Sequence, residues 1–250
     1  PNPLQLGNAF VNIENSLRAR GILNLSRGLR TRAFNLTQIF NKKLGSFIYP
    51  KVLDTEHTLE HMGQTQNDIR YLMHGVVDLI TEEIPELGAP IDYSNCVIWD
   101  YKGGSKEKVE RSPSQTLNYD FQLQTYVKLF QNKNGTFPRE ANLIFVGSLF
   151  PENLARRNEI LSLEDPRQIL ERIVRRVEFN PTVIDQAFNF FEETIDMIEL
   201  EHNRAYNEQW RPLTLENGAE HPTPSNMCET CELRWSCENP NGNFPLRSFI

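Results

Sequence analysis

The chain has 250 residues, of which 39% are hydrophobic and 24% are charged, and its formal net charge is −7. These values are ordinary for a globular protein, and no internal repeat or low-complexity segment is evident. No apolar run approaches the roughly 20 residues that a membrane-spanning helix needs. The sequence therefore predicts one elaborated domain, or one domain with an extension, and excludes an integral membrane helix.

The four cysteines are unevenly distributed. Cys96 stands alone, and the other three lie near the end of the chain, at Cys228, Cys231 and Cys237. This distribution does not resemble the disulfide framework of a secreted protein. It favours a metal site in a reducing compartment, so a cytoplasmic protein is expected.

The first part of the chain is basic and helical. Residues 1–53 contain eight Lys or Arg residues and one acidic residue, Glu14, so they carry +7 while the remainder carries −14. Apolar residues at helical spacing predict helices over residues 9–20 and 33–43. The segment between them holds the best candidates for contact with DNA phosphates, namely Arg27, Arg30 and Arg32. The alternative is a solvated basic helix face.

A third helix is predicted over residues 55–72, because Thr55 is a suitable N-cap and apolar residues recur on one face. His57 and His61 are four residues apart and therefore lie on the same side of such a helix. A third histidine, His74, comes just before the next apolar stretch.

Two apolar stretches that each contain an acidic residue are predicted strands. The first covers residues 75–80 and contains Asp78; the second covers residues 96–102 and ends in two glycines. Because side chains alternate along a strand, Asp100 and Lys102 share a face. Such a pair is costly to bury unless each charge has a partner.

If these strands are adjacent, Asp78 and Asp100 come together, with Lys102 beside them. Two carboxylates supply the oxygen ligands that Mg²⁺ or Mn²⁺ prefers. Such a cation neutralises a phosphodiester and lowers the pKa of an attacking water. The pattern therefore predicts a metal-assisted hydrolytic site.

The rest of the chain completes an α/β pattern. The remaining predicted elements are helices over residues 117–131, 166–178 and 181–204, a strand over residues 141–149, and loops over residues 81–95 and 103–116. Gln122 and Tyr126 share one face of the first of these helices. Together the elements predict a mixed sheet of at least three strands with helices around it.

Four motifs, in this order, resemble those of a known enzyme family. Asp78 followed by Asp100-Tyr101-Lys102 resembles the PD-(D/E)XK nuclease signature. Gln122-x-x-x-Tyr126 resembles a motif of the RecB-like branch of that superfamily, and the three C-terminal cysteines resemble the iron–sulfur cysteines of its AddB and CRISPR-adaptation nucleases. The Asp-x-Lys tripeptide alone is a weak signal, but the ordered set is specific.

This resemblance implies a restriction-endonuclease-like α/β fold, a mixed central sheet flanked by helices. Its parts are an N-terminal basic helical extension (residues 1–53), the nuclease core (54–210) and a cysteine-stapled C-terminal tail (211–250). It also implies a metal-dependent DNA nuclease, most simply an exonuclease on single-stranded or free-ended DNA. The process served is DNA repair, recombination or CRISPR adaptation, with a helicase or a CRISPR integrase as a partner.

The resemblance also implies roles for individual residues. Asp78 and Asp100 hold Mg²⁺ or Mn²⁺, and Lys102 orients the attacking water and stabilises the charge that develops on the phosphate. Gln122 and Tyr126 hold the end of the substrate strand. Further implied metal ligands are one histidine (His61, or else His57 or His74) and the carbonyl of Tyr101.

By the same resemblance, the C-terminal cysteines imply a [4Fe–4S] cluster, with Zn²⁺ as the alternative. Either usually takes four ligands, and no cysteine precedes Cys96 in this sequence. The fourth ligand is then a cysteine upstream of the present sequence, Cys96 or His221. In each case the metal would staple the tail to the core.

Two other functions fit the same residues. The first is that of a catalytically silent nuclease fold that binds DNA or assembles with partners, since a fold does not fix a function. Alternatively, the chain is a cysteine-rich zinc protein in which the Asp and Lys motifs are accidental.

Overall fold

The computed structural model describes residues 1–21, 27–82 and 91–203. The predicted cysteine site, with Cys228, Cys231, Cys237 and His221, lies outside these residues, as does most of the predicted loop over residues 81–95. The chain divides into two compact units, Pro1–Glu192 and Glu193–Ile250.

The described residues form seven α-helices and five β-strands. The helices are α1 (Pro3–Ala19), α2 (Arg27–Ile48), α3 (Lys106–Glu110), α4 (Pro113–Asn134), α5 (Leu154–Ser162), α6 (Pro166–Ile173) and α7 (Pro181–His202). The strands are β1 (Val52–Gln64), β2 (Arg70–Glu82), β3 (Cys96–Lys102), β4 (Glu140–Phe145) and β5 (Val174–Arg176). Among these helices, none combines the length and the hydropathy that a membrane span requires.

The five strands form one mixed sheet in the order β1-β2-β3-β4-β5. Only β3 and β4 are parallel, and the crossover between them contains α3 and α4; the other neighbours are antiparallel. A parallel pair needs such a long crossover, because a tight turn cannot return the chain in the same direction. The predicted α/β class, with a mixed central sheet flanked by helices, is confirmed.

Helices cover both faces of the sheet. On one face α4 packs with the first part of α7, where Leu123, Phe130 and Phe188 are buried. On the other face α2 packs with α6, and Leu44 and Ile169 are fully buried there. Fully burying a side chain of this size contributes about 1.5–3 kcal/mol. Helix α2 is therefore part of the helical layer that buries this face of the sheet.

The prediction of a helix over residues 55–72 is wrong. This segment forms most of β1, a turn at residues 65–69 and the start of β2. Asp68 adopts a left-handed φ of 63° in that turn, a conformation that Asp tolerates better than most residues. Met62, which suggested a helix face, is 67% exposed and pairs across the hairpin with Leu72. The buried positions instead alternate, as a strand requires.

Other element boundaries also differ from prediction. The predicted strand over residues 141–149 ends at Phe145 and continues as a 3-10 helix, and the predicted helix over residues 166–178 ends at Ile173, before β5. The predicted loop over residues 103–116 contains α3 and the first turn of α4. The three arginines that were expected between two helices lie within α2.

The turn that follows β3 depends on one close backbone approach. A Cβ atom added at Gly147 would lie 2.5 Å from the carbonyl oxygens of both Gly103 and Gly104. Real Cβ atoms do not approach that closely, so a side chain at residue 147 forces the turn to move. Gly147 therefore fixes the backbone directly after Lys102.

We expect Gly147→Ala to destabilise the protein by about 1–3 kcal/mol, as overpacking of a tight contact does. This corresponds to a fall in Tm of about 2–12 °C, measured by thermal unfolding. Gly28→Ala in α2 is the control, because a Cβ there meets no described atom within 4 Å. Alanine favours a helix, so this variant should be as stable as the wild type or more so. Equal melting of the two variants would contradict the role of Gly147.

Candidate active site

Asp78 lies where two neighbouring strands separate. The ladder between β2 and β3 ends at the pair Leu79 and Trp99, whereas β2 remains paired with β1 as far as Arg70. Just beyond the ladder, the backbone N–H of Tyr101 donates a hydrogen bond of 2.6 Å to Asp78 Oδ2. The carboxylate therefore binds a backbone donor of β3 at the point where the ladder stops.

The regular alternation of β2 is interrupted at the same place. Val77 and Ile80 both belong to the core beneath α4, although strict alternation would put them on opposite faces. Leu79 packs in the other core. On the neighbouring strand, Glu56 has a left-handed φ of 52°, and the pairs of Thr55 with Leu79 and of His57 with Val77 lie on either side of it. This irregularity orients the backbone around Asp78.

Asp100 is a buried carboxylate whose capacity to accept hydrogen bonds is only partly used by the described residues. Its exposed fraction is only 5%, and Lys102 Nζ lies 2.6 Å from its Oδ2. This close ion pair is the one contact that the described residues give Oδ2, so the oxygen has no further donor among them. Burial raises the pKa of Asp100, the Lys102 ammonium opposes this only in part, and the charge of Asp78 adds to it.

Lys102 is held by α4 as well as by Asp100. Its ammonium donates to Gln122 Oε1 at 2.6 Å and lies 4.6 Å from the centre of the Tyr119 ring. Gln122 Nε2 in turn donates to the hydroxyl of Tyr126 at 3.2 Å. The structure thus connects four of the predicted site residues, Asp100, Lys102, Gln122 and Tyr126, by direct contacts.

Two features set the position of α4 relative to the strands. A Cβ atom added at Gly75 in β2 would lie 3.0 Å from the Tyr126 ring, so glycine allows that ring to approach the strand. Near the start of α4, Asp120 forms a two-pronged ion pair with Arg175 of β5, one contact of which measures 2.7 Å. These contacts hold α4, and Gln122 with it, against the sheet.

The structure does not bring His57 or His61 to the two carboxylates. His57 contacts Asp54 through Nδ1 and Lys133 through Nε2, so both of its ring nitrogens are engaged. His61 faces Asn132 through Nδ1 and packs against Phe188. These ring contacts lie near the end of α4, although the backbone of His57 pairs with Val77, which is next to Asp78.

His74 and Cys96 also make no contribution to this site. The side chain of His74 is exposed on the hairpin formed by β1 and β2. Cys96 is fully buried at the other end of β3, and burial raises the pKa of its thiol to about 11. It is a free cysteine whose thiol donates to the carbonyl of Asp92.

One arginine of the predicted cluster joins two helices. Glu14 of α1 is buried and accepts two hydrogen bonds, of 2.7 and 2.8 Å, from Arg30 Nε. These bonds lower the pKa of Glu14 below its ordinary value. Arg30 therefore ties α2 to α1, whereas Arg27 lies exposed on α2.

The residues present fit a hard divalent cation. Within the described ranges no three His, Cys, Asp or Glu side chains converge. Mg²⁺ does not need such a cluster, because it is usually bound by one or two carboxylates and keeps several waters. Asp78 and Asp100 provide two carboxylates, and among the described residues one buried oxygen of Asp100 has the Lys102 ammonium as its one partner.

Two further residues near this site, Tyr119 and Glu56, were given no role in the prediction from sequence. Tyr119 lies three residues before Gln122 on α4, a spacing that places both on one side of the helix. That spacing was the available signal for its contact with Lys102. The left-handed backbone at Glu56 could not be predicted, because nothing in the sequence identifies a strand irregularity there.

Comparison with known proteins identifies the family to which this chain belongs. A model of the PD-(D/E)XK nuclease superfamily matches residues 24–238, which include all the strands and helices α2 to α7. A search of curated proteins finds no match.

We expect Mn²⁺ or Mg²⁺ to raise the Tm of the wild-type protein, because ligand binding to the folded state stabilises it. At a concentration of 100 times Kd the gain is about 2.7 kcal/mol. Asp100→Asn should lose this gain. Without metal that variant should be at least as stable as the wild type, because burial disfavours the charged carboxylate.

Asp185→Asn on α7 is the matched control, because its side chain is 62% exposed. It should respond to metal as the wild type does. A wild-type Tm that no divalent cation changes would contradict the metal site.

Proposed function

The chain belongs to the PD-(D/E)XK nuclease superfamily, and from this premise we propose that it is a metal-dependent deoxyribonuclease acting through Asp78, Asp100 and Lys102. The observation that supports the proposal most strongly is the buried Asp100 carboxylate. Among the described residues its Oδ2 has the Lys102 ammonium as its one partner, and the charge of Asp78 acts on the same carboxylate. Burial of such a group is costly unless a ligand uses it.

Asp78, Asp100 and the carbonyl of Tyr101 are the proposed ligands of Mg²⁺ or Mn²⁺. When bound, the cation neutralises charge on the phosphodiester and lowers the pKa of the attacking water. Asp78 also accepts the N–H of Tyr101, which fixes its carboxylate relative to β3. The two acids are therefore orientated by the strands themselves, a more precise support than a loop provides.

Lys102 is the proposed electrostatic stabiliser. Its ammonium can donate three hydrogen bonds, and Gln122 and Tyr119 hold it on the side of the carboxylates. From this position it stabilises negative charge that develops on the phosphate oxygens and orients the attacking water. A free lysine side chain has many rotamers, so this restraint reduces the entropy lost on reaching the reactive arrangement.

The contact between Gln122 and Lys102 refines the role expected for the Gln-x-x-x-Tyr motif. Gln122 positions the lysine, and Tyr126 positions Gln122 through its hydroxyl. This assignment does not require either residue to hold the substrate strand directly.

The proposed substrate is DNA with a free or single-stranded end, by analogy with the RecB-like motif. Processing of DNA ends in repair, recombination or CRISPR adaptation is the matching process, with a helicase or an integrase as partner. The cysteines Cys228, Cys231 and Cys237 are proposed to bind a [4Fe–4S] cluster or Zn²⁺ that staples the tail. This last proposal rests on the sequence alone.

We expect Lys102→Ala to lower the cleavage rate by at least about 100-fold, the scale for loss of one contact to developing charge. Gln122→Leu should lower kcat by a smaller factor with little change in KM, because it leaves the ammonium present but unrestrained. The assay uses end-labelled single-stranded and duplex DNA, circular DNA and RNA of matching sequence, with Mg²⁺ or Mn²⁺.

Lys108→Ala on α3 is the control, because this lysine is exposed and lies outside the contacts that hold Lys102. It should cleave like the wild type. Undiminished cleavage by Lys102→Ala would refute the assignment. Metal-dependent DNA binding without cleavage by the wild type would favour a catalytically silent nuclease fold.

A further inference from the structure

Lys102 and a bound cation would compete for the same oxygen atom. The Lys102 ammonium lies 2.6 Å from Asp100 Oδ2, and the described residues give this oxygen no other partner. Only 7% of the Asp100 side chain and 13% of the Lys102 side chain are exposed, so solvent screens the two charges little. The carboxylate that the proposed metal site needs is therefore already neutralised by a cation of the protein itself.

Two cations cannot both contact that oxygen without strong repulsion. A magnesium ion lies about 2.0–2.1 Å from each of its oxygen ligands. Added to the 2.6 Å of the ion pair, this distance places the ion at most about 4.7 Å from the Lys102 nitrogen. Charges at this separation repel each other strongly in a buried position, because the repulsion grows as the dielectric constant falls. Each of the two partners of Asp100 Oδ2 therefore disfavours the other.

A second set of contacts holds Lys102 without using the carboxylates. Its ammonium donates to Gln122 Oε1 at 2.6 Å and lies 4.6 Å from the centre of the Tyr119 ring. Gln122 Nε2 donates to the Tyr126 hydroxyl at 3.2 Å, which orients the amide so that Oε1 faces the ammonium. These contacts all come from α4. The helix can therefore retain Lys102 after Asp100 changes its partner.

We propose that Lys102 is an exchangeable counter-ion of Asp100: the carboxylate passes to a divalent cation, and the ammonium stays with α4 beside the substrate phosphate. The proposal rests on the proposed nuclease function, and it adds how the site controls its metal. Exchange of the ammonium for a monovalent ion brings no gain of positive charge, whereas a divalent ion adds one charge. The site therefore favours divalent cations over Na⁺ and K⁺.

The exchange also changes what Lys102 can do. An ammonium has three N–H donors, and the one that faces Asp100 becomes available to the phosphate once the carboxylate has turned to the metal. Metal binding and the release of the lysine are thereby coupled, and such a coupling acts equally in both directions. Loss of the ammonium should therefore strengthen metal binding, although it removes the group that stabilises the reaction.

The test measures the affinity for Mn²⁺ without DNA, by isothermal titration calorimetry at alkaline pH, where protons compete least for the carboxylates. Lys102→Met should bind Mn²⁺ about 5–150-fold more tightly than the wild type, the usual range for two coupled binding events. Lys108→Met on α3 is the matched control, because it removes an exposed lysine outside the contacts described above. It should bind Mn²⁺ as the wild type does.

Gln122→Leu gives a second measurement, because it keeps the ammonium and removes the acceptor that retains it. This variant should bind Mn²⁺ more weakly than the wild type, by about 5-fold or more. In the Lys102→Met background the same change should have no effect, since no ammonium is left to retain. A general effect of the Lys102 charge would not depend on Gln122, so this double-mutant cycle isolates the exchange.

Equal affinity for Mn²⁺ in the wild type and Lys102→Met would overturn the exchange. A Gln122→Leu variant that binds Mn²⁺ as tightly as the wild type would overturn it as well. If Lys102→Met does not fold, because Asp100 is left buried without its partner, Gln122→Leu decides alone.

Failure of the proposed function has a different signature. A protein that shows the expected pattern of Mn²⁺ affinities but cleaves no DNA would refute the nuclease and leave the exchange standing. Absence of Mn²⁺ binding in the wild type and in every variant would refute both.

Discussion

The hydrogen bond from the Tyr101 N–H to Asp78 is the contact on which the rest of the site depends. It forms where β2 and β3 stop pairing, so a side-chain carboxylate meets a backbone donor that the ladder no longer uses. Because this bond fixes Asp78 relative to β3, it also fixes Asp78 relative to Asp100. Two acids that would otherwise repel each other are thereby kept near one another, which is costly in the absence of a cation.

The second acid is connected to the helical layer through Lys102. Asp100, Lys102, Gln122 and Tyr126 form a continuous chain of contacts from β3 to α4. Helix α4 is held in place by its buried face and by its ion pair with β5. The packing that determines the position of the Lys102 ammonium therefore extends well beyond the site itself. This is how a fold built mainly by hydrophobic burial can place one charge accurately.

The sequence predicted the part of the site that depends on local periodicity. Alternation along β3 put Asp100 and Lys102 on one face, and helical spacing put Gln122 with Tyr126. It misread β1, where Leu59 and Met62 suggested a helix although one faces the core and the other faces solvent. The break in alternation near Asp78 could not be predicted from the sequence either. It arises where β3 stops pairing with β2 while β1 stays paired with β2, and no single segment encodes that.

The most direct test is a crystal structure of the protein grown with excess Mn²⁺, with the metal located by its anomalous scattering. The account predicts a peak whose ligands include one carboxylate oxygen from Asp78 and one from Asp100, with Lys102 still in contact with Gln122. Crystals that show no Mn²⁺ there, with the Lys102 ammonium still paired to Asp100, would contradict the claim that these acids form a metal site.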